Sequence, residues 1–385
     1  MLIRAIFLTL SLNLIGQFTL SAEESDGGPA RGPASQQAND AQGAKEPSTP
    51  DANSWTFVSF PDFFNFDVPY PWPQWEPAVD WFLDQVKAER PRFVLVAGDL
   101  VNAHWWDGPK CIEQMGALYY GGWIRRMRDH GLTFYVAVGD HELGDDPWPE
   151  AKLKLVPDFE RVFAQHMQMP QNGPPGKQGL AYYVHHKNLL LITVETFERH
   201  GDRLVPTVSG EQLQWFQQVL RDHRGKVDFI VVQGHVPIFG PVKSRSSSRL
   251  MLAGGRENAF WKAMVEGGVD VYLCGEHHDV TVREADGIWQ IVHGSSWGRE
   301  VVDTQNYLVA TVSPGKLHLD MKSFAMLAKG EPMWNLHKDR GPREIVEIPQ
   351  KAREDGPHTI GTVVIKKSTS GKQYVDRTGI FAEGR

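Results

Sequence analysis

The sequence predicts an α/β fold with two packed mixed β-sheets flanked by helices, and three observations carry that reading. Short apolar runs rich in β-branched and aromatic residues alternate with segments of helical spacing as far as Cys274. Four of those runs end in a glycine followed at once by residues that bind metals or move protons. Beyond Cys274 the chain turns strand-rich up to about Ser323. Alternating strands and helices build a sheet covered by helices, and the strand-rich end supplies a second packed sheet.

Residues 55–60, WTFVSF, open the folded part as a strand. A helix near 75–89 leads to a strand at 92–97, RFVLVA, and a helix near 112–129 leads to a strand at 132–138, LTFYVAV. Such runs are short, apolar and stopped by turn residues, the pattern of buried strands. A helix near 157–167 precedes residues 180–196, which read as a hairpin turning at His186-Lys187-Asn188. Ser209-Gly210-Glu211-Gln212 then opens a helix, because Leu213, Phe216, Val219 and Leu220 recur at helical spacing behind it. A strand at 228–233, a helix at 255–266, a strand at 269–274 and three or four short strands complete the core. A last hairpin-like pair, 359–366 and 373–381, flanks the turn Ser368-Thr369-Ser370-Gly371.

The chain has 385 residues, 23% charged and 41% hydrophobic, enough for one large domain or two modest ones. A formal net charge of -7 gives no electrostatic case for nucleic acid or an anionic membrane as partner. A small anionic substrate would need local positive charge, from metal ions or individual Arg and Lys. Residues 1–22 place one Arg ahead of an apolar stretch ending in small residues, the pattern of a secretory signal peptide cleaved near Ala22. Ser11, Asn13, Gly16 and Gln17 dilute that stretch as a membrane span, so a secreted or periplasmic protein without a transmembrane segment after cleavage is expected. Residues 23–53 lack large apolar side chains and read as a disordered linker. Residues 54–324 form the candidate catalytic domain, and 325–385, rich in Pro, Lys, Arg and Glu, an appended tail of unknown role. Two cysteines, Cys111 and Cys274, leave both one bridge and two free thiols open.

The four glycine-terminated runs continue as Gly98-Asp99, Gly139-Asp140-His141-Glu142, Gly234-His235 and Gly275-Glu276-His277-His278-Asp279, and the run at 55–60 ends in Pro61-Asp62. A single Gly-Asp after a strand is ordinarily a turn, since Gly tolerates positive φ and Asp caps the next helix. Five in chain order, carrying carboxylates and imidazoles together, exceed what turn chemistry asks for. Where strands are joined by helices, ligands bind at the strand C-termini, so these residues are expected in one cleft. At Gly275 the pair could be Glu276 and His278 or His277 and Asp279. Keeping the glycine directly after the strand favours Glu276 and His278, two apart and on one face, with His277 turned away.

This order of residues resembles the signature of the calcineurin-like metallophosphoesterases over about 55–323, with Gly234-His235-Val236-Pro237 and Gln212-Leu213-Gln214-Trp215 adding to the likeness. The resemblance implies a four-layer α/β/β/α sandwich and a metal-dependent hydrolase of small phosphate esters that uses metal-activated water in a binuclear site, which the pattern of residues 1–22 makes an exported one. Carried onto this chain, Asp99 bridges two ions, Asp62 and His278 serve the first, and Asp140, His235 and Glu276 serve the second. His141 stabilises the transition state or protonates the leaving group, oriented by Glu142. The chain departs from the pattern at Phe64, where many members have His, and at Asn102, where the purple acid phosphatase branch has Tyr; an Asn carbonyl oxygen can still ligate a hard cation. Asp140 replaces a family Asn and Glu276 a family His, which tilts an expectation of Mn, Fe, Mg or Zn ions toward the harder Mn²⁺, iron and Mg²⁺. The same departures leave an alternative, a binding protein on this scaffold with one metal or none.

Other expectations concern the cleft surroundings. Trp105, Trp106 and Trp148 follow two of the motifs and could rim an organic leaving group, though packing is the commoner role of Trp. Arg245 and Arg249 could bind phosphate oxygens. His104, His166 and His185 show no ligand spacing, and Glu195 reads as a turn or supporting residue.

Overall fold

The computed structural model describes residues 53–62, 69–240, 247, 249–294, 304–329, 345–368 and 371–383. The signal peptide, the linker up to residue 52, Phe64, Arg245 and the centre of the Ser368–Gly371 turn lie outside the described residues.

In chain order the elements are β1 (Trp55–Ser59), α1 (Glu76–Ala88), β2 (Val94–Val96), α2 (Pro109–Asp129), β3 (Phe134–Val136), α3 (Glu150–Leu153), α4 (Val156–Met167), β4 (Tyr182–His186) and β5 (Leu189–Thr193). A small hairpin, β6 (Phe197–His200) and β7 (Arg203–Pro206), precedes α5 (Gly210–His223), β8 (Phe229–Gln233), α6 (Ala259–Gly267) and β9 (Val271–Cys274). The strand-rich end holds β10 (Thr281–Ala285), β11 (Ile288–Val292), β12 (Thr304–Ser313), β13 (Lys316–Ala325), β14 (Leu327–Lys329), β15 (Ile345–Glu347), α7 (Gln350–Asp355), β16 (His358–Ser368), β17 (Gly371–Gly379) and α8 (Ile380–Glu383).

Two large mixed sheets result, ordered β17-β16-β13-β12-β1-β2-β3 and β10-β11-β9-β8-β5-β4. In the first, β1, β2 and β3 run parallel; in the second, β5, β8, β9 and β11 do. Strand alternation decides the layering. Phe57, Leu95, Leu191, Val231 and Leu273 share one core with Leu308, Leu319 and Ile365, so residues of both sheets meet there. Their neighbours Val58, Val94, Ile192 and Val232 belong instead to the core that contains the helix residues Phe82, Val86, Phe216 and Met264. Burial on both faces is why these strands read as continuous apolar runs.

Most elements fall where the sequence places them, and the differences have local causes. The helix expected over 255–266 starts at Ala259, because Asn258 Oδ1 accepts the N–H groups of Phe260 and Trp261 and fixes the N-cap there. β12 and β13 are ten residues each rather than short strands. The β6–β7 hairpin went unread, although Gly201-Asp202 between His200 and Arg203 is a two-residue hairpin turn.

The hairpin of the C-terminal segment adds β16 to β13 and β17 to β16, extending the first sheet. Its tip reaches the second sheet. The buried Asp270 carboxylate, just before β9, accepts Lys367 Nζ at 2.6 Å and Ile230 N–H at 2.9 Å, and lies 2.8 Å from Lys372 Nζ. Cys111 and Cys274 are both free thiols. No helix among the described residues is long and apolar enough to cross a membrane.

Candidate metal centre

The C-termini of β1, β2 and β3 from one sheet and of β8 and β9 from the other converge on a single buried cluster. Asp62, Asp99 and His235 place ligand atoms within 4.8 Å of one another, and so do Asp140, His235 and Glu276. His235 Nε2 lies 2.9 Å from Asp140 Oδ1, 3.4 Å from Asp99 Oδ1 and 3.5 Å from Glu276 Oε2. Its other ring nitrogen, Nδ1, pairs with the Ala97 carbonyl at 2.8 Å. That bond holds Nδ1–H on the backbone and leaves Nε2 facing the carboxylates, which outweigh burial and raise the imidazole pKa well above its usual range. His278 Nε2 stands 3.9 Å from Asp62 Oδ1, farther out than the other imidazole.

Backbone geometry explains the spacing of the motifs. Asp62, Asp99, Glu276 and His278 all have positive φ, between 52° and 77°. Such conformations cost about 1–3 kcal/mol each and cluster at ligand sites. Gly98 turns the chain at φ 93°, and a Cβ there would meet His235 Nδ1 at 2.6 Å. A Cβ on Gly139 would meet Asp99 Oδ1 at 2.1 Å. These glycines therefore let two loops approach the ligands without a side chain between them.

Glu142 does something other than orient His141. Its carboxylate accepts four backbone N–H groups: Asp99 and Gly139 at 2.8 Å each, Leu100 at 2.7 Å and Val101 at 3.2 Å. It ties the loop after β2 to the loop after β3. His141 is oriented by Asn102, whose carbonyl pairs with Nδ1 at 2.9 Å and leaves Nε2 3.9 Å from Asp99 Oδ2. The Asn102 side-chain Oδ1 is buried without a hydrogen-bond partner.

Burial and mutual repulsion oppose the ionisation of most of these carboxylates. Burial pushes the Asp62 carboxyl up to about 7, and burial with the neighbouring Asp140 pushes Glu276 to about 7. Burial and Asp140 raise Asp99 well above the carboxylate range. Asp140 alone is held low: burial opposes its charge, but His141 and His235 outweigh that. Buried Asp62 Oδ2, like Asn102 Oδ1, makes no hydrogen bond. Cations relieve all of this at once, neutralising the carboxylates and giving the orphaned atoms a partner. The donor set thus fits metal ions, mostly oxygen with imidazole nitrogen.

Around the cluster, Trp105 is buried core, Trp106 is 44% exposed, and Trp148 is partly buried with its indole N–H on the Leu143 carbonyl. Arg249 is exposed on the segment before α6. His277 is fully buried. Glu195 is buried and paired with Lys177 at 2.5 Å, and its backbone N–H and C=O are both clamped by Gln212. Sequence reading missed His104 and Asp145. His104 Nε2 pairs with Asp145 Oδ2 at 2.9 Å, and Asp145 Oδ1 lies 3.8 Å from His141 Nε2. Nothing in the spacing of residues 41 apart announces that pair.

The model of the calcineurin-like phosphoesterase family matches residues 71–280. Among solved structures the chain is similar to GAP50, the anchor in the inner membrane complex of Plasmodium, at 15% identity and a TM-score of 0.44, covering 77% of this chain and 88% of that one. It is also similar to the purple acid phosphatase PPD1 from yellow lupin (Lupinus luteus) seeds, at 13% identity and a TM-score of 0.49, covering 71% of this chain and 52% of that one. A third is Vps29 of Chaetomium thermophilum, at 11% identity and a TM-score of 0.30, covering 76% and 96%. No curated protein sequence matches the chain.

Proposed function

The chain belongs to the calcineurin-like phosphoesterase family, and on that premise we propose that it hydrolyses small phosphate esters with water at a two-cation centre. The observation that carries this reading is the buried convergence of Asp62, Asp99, Asp140 and Glu276 on His235, a concentration of carboxylates suited to binding cations. Asp99 stands near both halves of the cluster and would bridge. Asp62, His278 and Asn102 would hold the first ion, and Asp140, His235 and Glu276 the second. Two such ions supply Lewis-acid polarisation of phosphoryl oxygens and a nucleophilic water near neutral pH.

The protein's own groups do the rest. His141 presents Nε2 beside Asp99, with Nδ1–H fixed on Asn102. Burial disfavours its charged form, and Asp99, Asp145 and Asp140 oppose burial and raise its pKa; Asp145, outside the proposed ligand set, would still favour the charged form with ions on Asp99 and Asp140. A protonated imidazole in that position can give its proton to a leaving alkoxide. Glu142 acts through the backbone, keeping Asp99 and Asp140 at their separation. Trp106, exposed on the loop between Asp99 and α2, offers an apolar rim to the organic part of an ester.

The oxygen-rich donor set supports Mn²⁺, iron or Mg²⁺ in preference to Zn²⁺. Export is part of the proposal, resting on the pattern of residues 1–22; N-terminal sequencing of the protein from its source would reveal a start near residue 23. The test of activity is a panel of chromogenic phosphate monoesters and diesters, assayed after reconstitution with each ion. Metal-dependent release that a chelator abolishes is expected. No turnover with any ion would leave family membership standing and remove the catalytic reading.

A further inference from the structure

We propose that His104, His141 and Asp145 form a separate, solvent-accessible cation site at the rim of the buried cluster, suited to a borderline ion such as Zn²⁺. Their ligand atoms lie within 4.8 Å of one another. Asp145 sits between the imidazoles, with Oδ2 2.9 Å from His104 Nε2 and Oδ1 3.8 Å from His141 Nε2. Zinc bonds of about 2.0–2.2 Å at tetrahedral angles put ligand atoms roughly 3.3–3.6 Å apart. The two measured separations bracket that spacing, so small side-chain rotations admit an ion.

The supporting groups are already placed. His141 Nδ1–H is committed to the Asn102 carbonyl, which leaves Nε2 as the ligating nitrogen. Asp145 has φ 67°, and both of its backbone polar groups are held: its N–H donates to the Asp140 carbonyl at 2.9 Å, and its carbonyl accepts Lys152 Nζ at 2.6 Å. Lys152 is itself buried at 6% exposure, so the loop is pinned from inside. An ion entering takes the place of the proton shared by His104 and Asp145 and of the proton on His141 Nε2, and both protons leave to solvent.

Two contrasts separate this site from the central cluster. The side chains of His104, His141 and Asp145 are 16%, 11% and 22% exposed, whereas those of Asp62, Asp99 and His235 are 0–2% exposed. Ions at the rim would exchange readily. Two imidazoles and one carboxylate also form a nitrogen-rich set that favours Zn²⁺, while the carboxylate-rich cluster favours harder ions. An ion on His141 Nε2 would occupy the nitrogen assigned to proton donation, so excess zinc would inhibit hydrolysis. That consequence rests on the proposed role of His141; the site does not.

The experiment uses the full chain loaded with Mn²⁺, assayed for hydrolysis, then dialysed to equilibrium against micromolar Zn²⁺ with both metals measured. Wild type is expected to gain one further equivalent of total metal, and His104→Ala and Asp145→Asn to gain none while melting at temperatures close to wild type. His104→Gln serves as the second variant at that position. No added equivalent in wild type, or the same equivalent in all three variants, would overturn the site. Binding without loss of rate would support the site and remove proton donation from His141.

Discussion

The Glu142 carboxylate accepts the backbone N–H of Asp99 at 2.8 Å and, through the same oxygen, the N–H of Gly139 at 2.8 Å. One side chain thus sets the distance between two loops that carry Asp99 and Asp140. With Leu100 and Val101 on the other oxygen, its partners are all main-chain groups. Glu142→Gln keeps one acceptor oxygen and turns an NH₂ toward amide donors. Unpaired buried N–H groups cost about 1–3 kcal/mol each, so a loss of about 2–5 kcal/mol in urea unfolding is expected. Metal affinity should fall by about 10–100-fold, the usual effect of losing a group that supports ligands. Wild-type stability and affinity in this variant would remove the tie.

His141→Asn tests the proton donor separately from the ligands. Metal content should stay at the wild-type level while kcat falls by about 10²–10⁴. The deficit should be largest for esters with poorly acidic alcohols, which need a proton most. Equal rates across wild type and variant would assign His141 no part in the chemistry.

Stability below neutral pH should report His293. This residue is buried with Nε2 2.9 Å from Ser59 Oγ, and burial lowers its pKa from 6.5 to about 4. The folded state therefore keeps it neutral where the unfolded chain binds a proton. Its contribution is present above pH 6.5 and is lost as pH falls toward 4. A shift of that size corresponds to about 3 kcal/mol at full effect. His293→Gln should lose less stability than wild type between those pH values; parallel curves would place the acid sensitivity elsewhere.

Asp270 gives the C-terminal hairpin a measurable role. Its carboxylate holds Lys367 and Lys372 against the second sheet, while the β16 backbone belongs to the first. Asp270→Ala leaves two lysines that can still reach water, so the cost is set near the lower end for broken buried pairs, about 3 kcal/mol. Chemical unfolding should show that loss, with turnover per folded molecule unchanged because Asp270 lies at the strand end away from the cluster. An undiminished midpoint would make the clamp dispensable.

The sheets and the cluster were legible because both follow from local pattern. Apolar runs such as FVLVA and FIVVQ announce buried strands, and the glycines after them mark where backbone must pass close to ligands. What stayed hidden depends on groups that carry no letter. Glu142 binds main-chain N–H groups, which any sequence supplies, so the role of orienting His141 fell to the wrong partner; the Asn102 carbonyl holds it. His104 and Asp145 meet only through folding of two loops. Trp105 takes the commoner packing role, since its neighbours Tyr119, Tyr120 and Phe159 enclose it and leave Trp106 outside.

Metal stoichiometry tests the central claim most directly. Elemental analysis of wild type and Asp99→Ala, loaded with Mn²⁺ and desalted, should give about two ions per chain for the first and none for the second. One ion or none in wild type, or both ions retained without Asp99, would contradict a bridged two-cation centre.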